Sequence, residues 1–126
     1  MDRARDDGCT PLFMAADTGH DAVVARLLAG GAAVDNMNND GGTPLADAAR
    51  FGHVATARLL LDGGATVDLA DKDGENALTM AAAEGHAPVV QLLLACGADR
   101  SHASKFGSAL AQAREAGHST TVCLLE

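Results

Sequence analysis

Apolar residues fall along this chain in paired bursts. Between residues 7 and 39 a short run, Leu12 to Ala16, is followed after Gly19-His20 by Val23, Val24, Leu27 and Leu28. The second run has helical spacing, which places those side chains on one face of a helix. The pair then returns at a constant step of 33 residues. Asp7, Asp40 and Asp73 keep the step, as do Gly8, Gly41 and Gly74, then Leu12, Leu45 and Leu78, then His20, His53 and His86. The pairs Ala15-Ala16, Ala48-Ala49 and Ala81-Ala82 keep it too. A fourth unit begins at Phe106-Gly107 and reaches Gly117-His118 one residue early, the shortfall falling before Leu110. A fixed period of roughly 20 to 50 residues marks a solenoid, whose units bury their apolar faces on one another. The units read 7–39, 40–72, 73–105 and 106–126 in a single domain, behind a polar leader, 1–6.

Each unit predicts the same order of elements. An Asp-Gly turn comes first. Thr10 and Thr43 then stand before Pro11 and Pro44, a good N-cap followed by the residue favoured in the first helical position. Asn76 can cap the third unit. A short Ala-rich helix stops at Gly19, Gly52, Gly85 or Gly117, and a longer helix begins after the His and ends at Gly-Gly-Ala or Cys-Gly-Ala, where Gly can adopt the left-handed cap. Isolated helices below about 12 to 15 residues are marginal in water, so stacking must supply their stability.

The stretch DGGTPLADAARFGHVATARLLLDGGATVD, from Asp40 onward, resembles an ankyrin repeat, and so do its neighbours, over residues 5 to 126. The resemblance implies an all-α ankyrin-repeat solenoid, with helix-turn-helix units stacked and joined by β-hairpin turns. Hairpin tips and inner helices form its concave side. It implies a non-catalytic module without cofactor or metal that binds a protein through that side. Four departures stand out. Phe13, Ala46, Thr79 and Ala111 hold the slot of the family's His after Thr-Pro-Leu. Asp35, Asp68 and Ser101 replace a turn Asn but can still accept hydrogen bonds. Arg114 takes the second Ala slot of unit four. The chain stops at Glu126, inside an expected helix, so unit four reads as a C-terminal cap or as a chain truncated within a repeat.

Composition narrows the function. Of 126 residues 48% are apolar, yet there is no Trp or Tyr and only three Phe, which calls for a core of Ala, Leu and Val. A net charge of −8 argues against nucleic acid and anionic membranes and for a basic partner. Cys9, Cys96 and Cys123 form no Cys-x-x-Cys pair, so reduced thiols and an intracellular location are expected. Apolar runs are too short to span a bilayer, and the N-terminus has no signal-peptide pattern.

The recurring His residues occupy one fixed helix junction and read as structure. His102 breaks that pattern and is expected to be a solvated loop residue. Residues 36–47 imitate a calcium loop through Asn36, Asn38, Asp40 and Gly41, but Asp47 stands where a bidentate Glu belongs, so a plain hairpin tip is expected. Cys96 and Cys123 fall on second helices, where Cys behaves as a small hydrophobe. Cys9 falls on a turn tip. Phe51, after Arg50 at the end of an inner helix, and Phe106, in a turn slot, are the candidate hot spots; local packing is the competing reading. Met37 is a third. Asp7, Asp17, Asp40, Asp73, Glu75 and Glu84 form an acidic surround suited to a basic partner with an apolar anchor. The expected protein is thus a monomeric binder of a protein or peptide. The alternatives are a spacer or cap fragment of a longer array, or an engineered ankyrin scaffold.

Overall fold

The computed structural model describes residues 10–39 and 41–126. Among them eight helices run in four antiparallel pairs: α1 (Pro11–Thr18) with α2 (Asp21–Ala29), α3 (Pro44–Arg50) with α4 (Val54–Asp62), α5 (Ala77–Glu84) with α6 (Ala87–Ala95), and α7 (Ala109–Ala116) with α8 (Ser119–Leu125). The odd-numbered helices stack in one layer and the even-numbered in another, each chiefly against the preceding and following pair. This is the stacked solenoid the period predicts.

Local chemistry starts each inner helix. The hydroxyl of Thr10 accepts from the Phe13 amide at 3.2 Å, and that of Thr43 from the Ala46 amide at 3.2 Å. Asn76 and Thr79 cap each other reciprocally, and Ser108 fills the same slot in the fourth pair. Each cap satisfies one amide that the first turn leaves without a partner. Asn76 leaves its buried Nδ2 unpaired.

The Gly-His joint is structural, as expected. Gly52 has φ +76°, and a Cβ there would lie 2.6 Å from Nδ1 of His86. Only glycine satisfies both the backbone and the ring. The ring of His86 donates from Nε2 to the carbonyl of Arg50 at 2.9 Å, His53 does so to Asp17 at 3.0 Å, and His118 to Ala83 at 3.1 Å. A carbonyl only accepts, so Nε2 carries the proton in each. Each His thus bolts one unit to the carbonyl end of the previous inner helix.

One apolar cluster runs through all four pairs. Leu12, Leu45 and Leu78, the three Ala-Ala pairs, Val24, Leu60 and Leu93 lie within it. Phe13, in the slot of the family's His, is buried too. Val23 departs from the sequence reading: it is exposed, while its neighbour Val24 faces the core. Cys96 and Cys123 also depart from it. Both are exposed, because Cys96 caps the end of α6 and Cys123 lies on the outer side of α8. Arg114 is accommodated by pointing outward, 3.4 Å from Glu126.

The hairpins are where unit four becomes shorter. Asn38 and Asp71 each bond through their amides to the carbonyl four residues on, Gly42 and Glu75. In the last unit the strands β1 (Ala103–Ser104) and β2 (Gly107–Ser108) pair directly, Ser104 opposite Gly107. Only Lys105 and Phe106 remain at the tip, so the missing residue is lost there. His102 is not a solvated loop residue: it is partly buried and donates from Nε2 to the Gly74 carbonyl at 2.7 Å. Behind the helices, Asp35 accepts from the Thr66 amide at 3.0 Å and Asp68 from the Asp99 amide at 3.1 Å. The bonds made by these turn substitutes therefore join successive units.

Candidate recognition face

The inner helices and hairpin tips share one side of the stack, and two of the three Phe surface there. Phe51 ends α3 and is 46% exposed; Phe106 tips the last hairpin and is 55% exposed. Each ring carries a cation from the preceding residue. The guanidinium of Arg50 lies 5.2 Å from the Phe51 ring centre, and Nζ of Lys105 lies 5.1 Å from that of Phe106. Such exposed contacts contribute about 0.5–1 kcal/mol, enough to bias a side chain and too little to hold a fold.

Phe106 forms a wall of two adjoining depressions. One, of about 290 Å³, is lined by Arg50, Asp71, Asp73, Glu75, Met80, Ala83, Glu84 and Phe106. The other, of about 330 Å³, lies between Phe106, Ala83, Gln112, Glu115 and Ala116. The carboxylates here differ in their commitments. Asp71 accepts from the amides of Asp73 and Glu75, both at 2.9 Å. Glu75 accepts from Nε2 of Gln112 at 2.8 Å, and the same nitrogen reaches the Gly107 carbonyl at 3.1 Å. Asp73 pairs with Nζ of Lys105 at 3.0 Å. Glu84 is exposed and has no hydrogen-bond or ion-pair partner among the described residues.

At the other end of the face, Asp17 on α1 meets Asp47 on α3. Burial, a hydrogen bond with Asp17 and the Asp17 charge push the Asp47 carboxyl up to about 8, and Arg50 opposes this only in part. One proton is shared across the pair because two adjacent carboxylates resist ionising together. Asp17 therefore does not stand free in the acidic surround expected from the sequence: it is partly buried and bonded to Asp47.

Of the residues singled out by sequence, Arg50, Asp73, Glu75, Glu84 and Phe106 come together around one depression. Phe51 joins it through Arg50. Met37 is exposed on the hairpin side, and Asp17 lies apart with Asp47. Asp7, Cys9 and Asp40 lie outside the described residues, and with Asp40 goes the centre of the calcium-like loop. Sequence reasoning missed Met80, Asp71, Gln112 and Lys105, and the role of Asp47. A signal for Asp47 did exist: in the aligned units its slot holds Met14, Met80 and Gln112, all uncharged.

Residues 1–71 match the family model described as ankyrin repeats in three copies, and residues 73–105 match that of a single ankyrin repeat. No curated protein matches the chain.

Proposed function

The chain belongs to the ankyrin-repeat family, and we propose that it binds another protein or a peptide on its concave face. Repeats of this family generally serve protein–protein interaction and are generally not catalytic. No helix among the described residues is long and apolar enough to cross a membrane. The observation that carries the reading is the exposed ring of Phe106 on the wall of a depression that also holds Met80 and several carboxylates. An aromatic anchor ringed by polar groups is the anatomy of a binding hot spot. The contact set is Arg50, Phe51, Asp73, Glu75, Glu84 and Phe106, with Met37 and Asp17 at its margin. The partner presents basic residues around an apolar side chain. The protein works as one monomeric array of units 7–39, 40–72, 73–105 and 106–126, inside the cell, where its exposed thiols stay reduced.

The test is a random peptide display selection on the wild-type protein and on the Phe51→Ala/Phe106→Ala double variant, with melting measured beside it. Peptides enriched by the wild type should lose about thirtyfold or more in affinity for the variant, the loss expected for a true hot spot. Melting should be nearly unchanged. Equal enrichment by both proteins would move the site to the outer helices or the ends of the stack.

A further inference from the structure

Resting on that concave-face reading, we infer that the depression beside Phe106 takes an arginine side chain of the partner, and that Lys105 occupies the guanidinium's seat until it arrives. The seat has two parts already holding a cation. Nζ of Lys105 lies 5.1 Å from the ring centre of Phe106 and 3.0 Å from Oδ1 of Asp73. Aromatic face and carboxylate together make the environment that a guanidinium fills best. Its planar fork stacks on a ring, bonds a carboxylate at two points and sheds water more readily than an ammonium does. The same face already stacks one guanidinium on a ring, Arg50 on Phe51 at 5.2 Å.

Lys105 is a plug that yields. Its side chain is 61% exposed and that of Asp73 47%, and exposed ion pairs of this kind are weak because water screens them. Its backbone does not need to follow, because the Lys105 amide is bonded to the Asp73 carbonyl at 3.0 Å and stays there while the side chain swings. Charge favours the exchange: Asp71, Asp73, Glu75 and Glu84 line the depression against Arg50 alone. The hydrogen bonds leave Asp73 as the acid facing the ring and Glu84 as the acid without a partner. Arginine therefore meets Phe106 and Asp73, and Glu84 takes a second basic residue. Next to them the second depression, between Ala83, Ala116 and Phe106, receives the peptide's apolar side chain on the other side of the ring.

The experiment uses fluorescence anisotropy with random heptapeptide mixtures that differ only in a fixed pair of arginine, lysine or glutamate residues. The wild-type protein should bind the arginine mixture more tightly than the lysine mixture, and the glutamate mixture least. Lys105→Ala should raise affinity for the arginine mixture about threefold, the size of an exposed cation–ring contact. Lys105→Arg leaves net charge unchanged and plugs the seat more firmly, so it should bind less than the wild type. That variant separates a masked seat from simple charge repulsion. Asp73→Asn should weaken binding of the arginine mixture at unchanged melting temperature. No gain in Lys105→Ala, no loss in Lys105→Arg, or no binding of the arginine mixture by the wild type would overturn the proposal. If the glutamate or lysine mixture binds as well as the arginine one and Phe106→Ala abolishes it, the face is right and the arginine seat wrong. If binding of the arginine mixture survives Phe106→Ala, the concave-face reading fails with it.

Discussion

Acidic residues meet at both ends of the concave face, and the two meetings differ. Between α1 and α3, Asp17 and Asp47 face each other, and burial keeps a proton on the pair. Between α5 and the last hairpin, Asp71 and Glu75 are held by hydrogen bonds from amides and from Gln112, and Asp73 is neutralised by Lys105. The first pair has lost water without gaining donors; the second group gained donors or a cation. A carboxylate bonded by donors keeps its charge, whereas one buried against another acid gives it up. The raised Asp47 carboxyl makes its end of the face less negative than the formal charges alone suggest. The field available to attract a basic partner is therefore concentrated at the C-terminal end of the face, beside Phe106.

The sharpest way to break this contrast is to bury an acid that has no partner. Ala49 is 0% exposed within the core cluster. Ala49→Asp should cost about 4 kcal/mol or more, as for an uncompensated buried charge, and abolish the cooperative melt followed by circular dichroism. A melting temperature close to the wild-type value would mean that the inner layer tolerates charge and that Asp47 is unexceptional.

Next in size is a pH effect. The Asp47 carboxyl is raised from 3.8 to about 8, so between those values the folded chain holds a proton that the unfolded chain has released. Stability is fully present below pH 4 and is lost as pH rises towards 8. After discounting for the water that still reaches the group, the loss is on the order of 2 kcal/mol. Urea titrations across that window should show the decline in the wild type and a flatter profile in Asp47→Asn; parallel profiles would remove the shared proton. Asp99 is the opposite case. Hydrogen bonds from Ser101 lower its pKa, so its contribution is present above pH 4 and fades as pH falls.

A smaller shift should follow from removing the other partner. Asp17→Ala deletes both the hydrogen bond and the charge that raise Asp47, and carbon-detected NMR should find Asp47 titrating lower. An unmoved titration would assign the whole effect to burial. The smallest change in stability is expected at the rim: Phe51→Ala and Phe106→Ala should each cost no more than about 1 kcal/mol, the size of the exposed cation–ring contact each removes. A loss of roughly 3 to 5 kcal/mol in either would make that ring part of the core.

Much of the fold was legible because it is written in short-range chemistry. Thr10, Thr43 and Asn76 cap helices that begin beside them, and the Ala-Ala pairs recur where helices must approach closely. The exposure of Phe51 and Phe106 was legible from their slots. His102 was misread because its partner, the Gly74 carbonyl, lies 28 positions away on the neighbouring hairpin. Cys123 was misread because helical spacing places a residue on a helix without saying which side the neighbouring unit covers, and Cys96 because it caps α6 and does not lie within it. Lys105 was not singled out in the sequence, because only the shortened tip sets it over Phe106 and against Asp73.

The sequence by itself determined the period, the caps and the breaks, and hence a stack of helix pairs. These depend on residues within a turn or two of each other, repeated until neighbours had to pack. Only the tertiary structure decided the electrical character of the face. Whether Asp47 carries a charge, whether Glu75 is committed to Gln112 and whether Lys105 covers Phe106 all depend on side chains brought together from different units. Burial and donor geometry set those states, and neither is a property of a residue's position in the repeat.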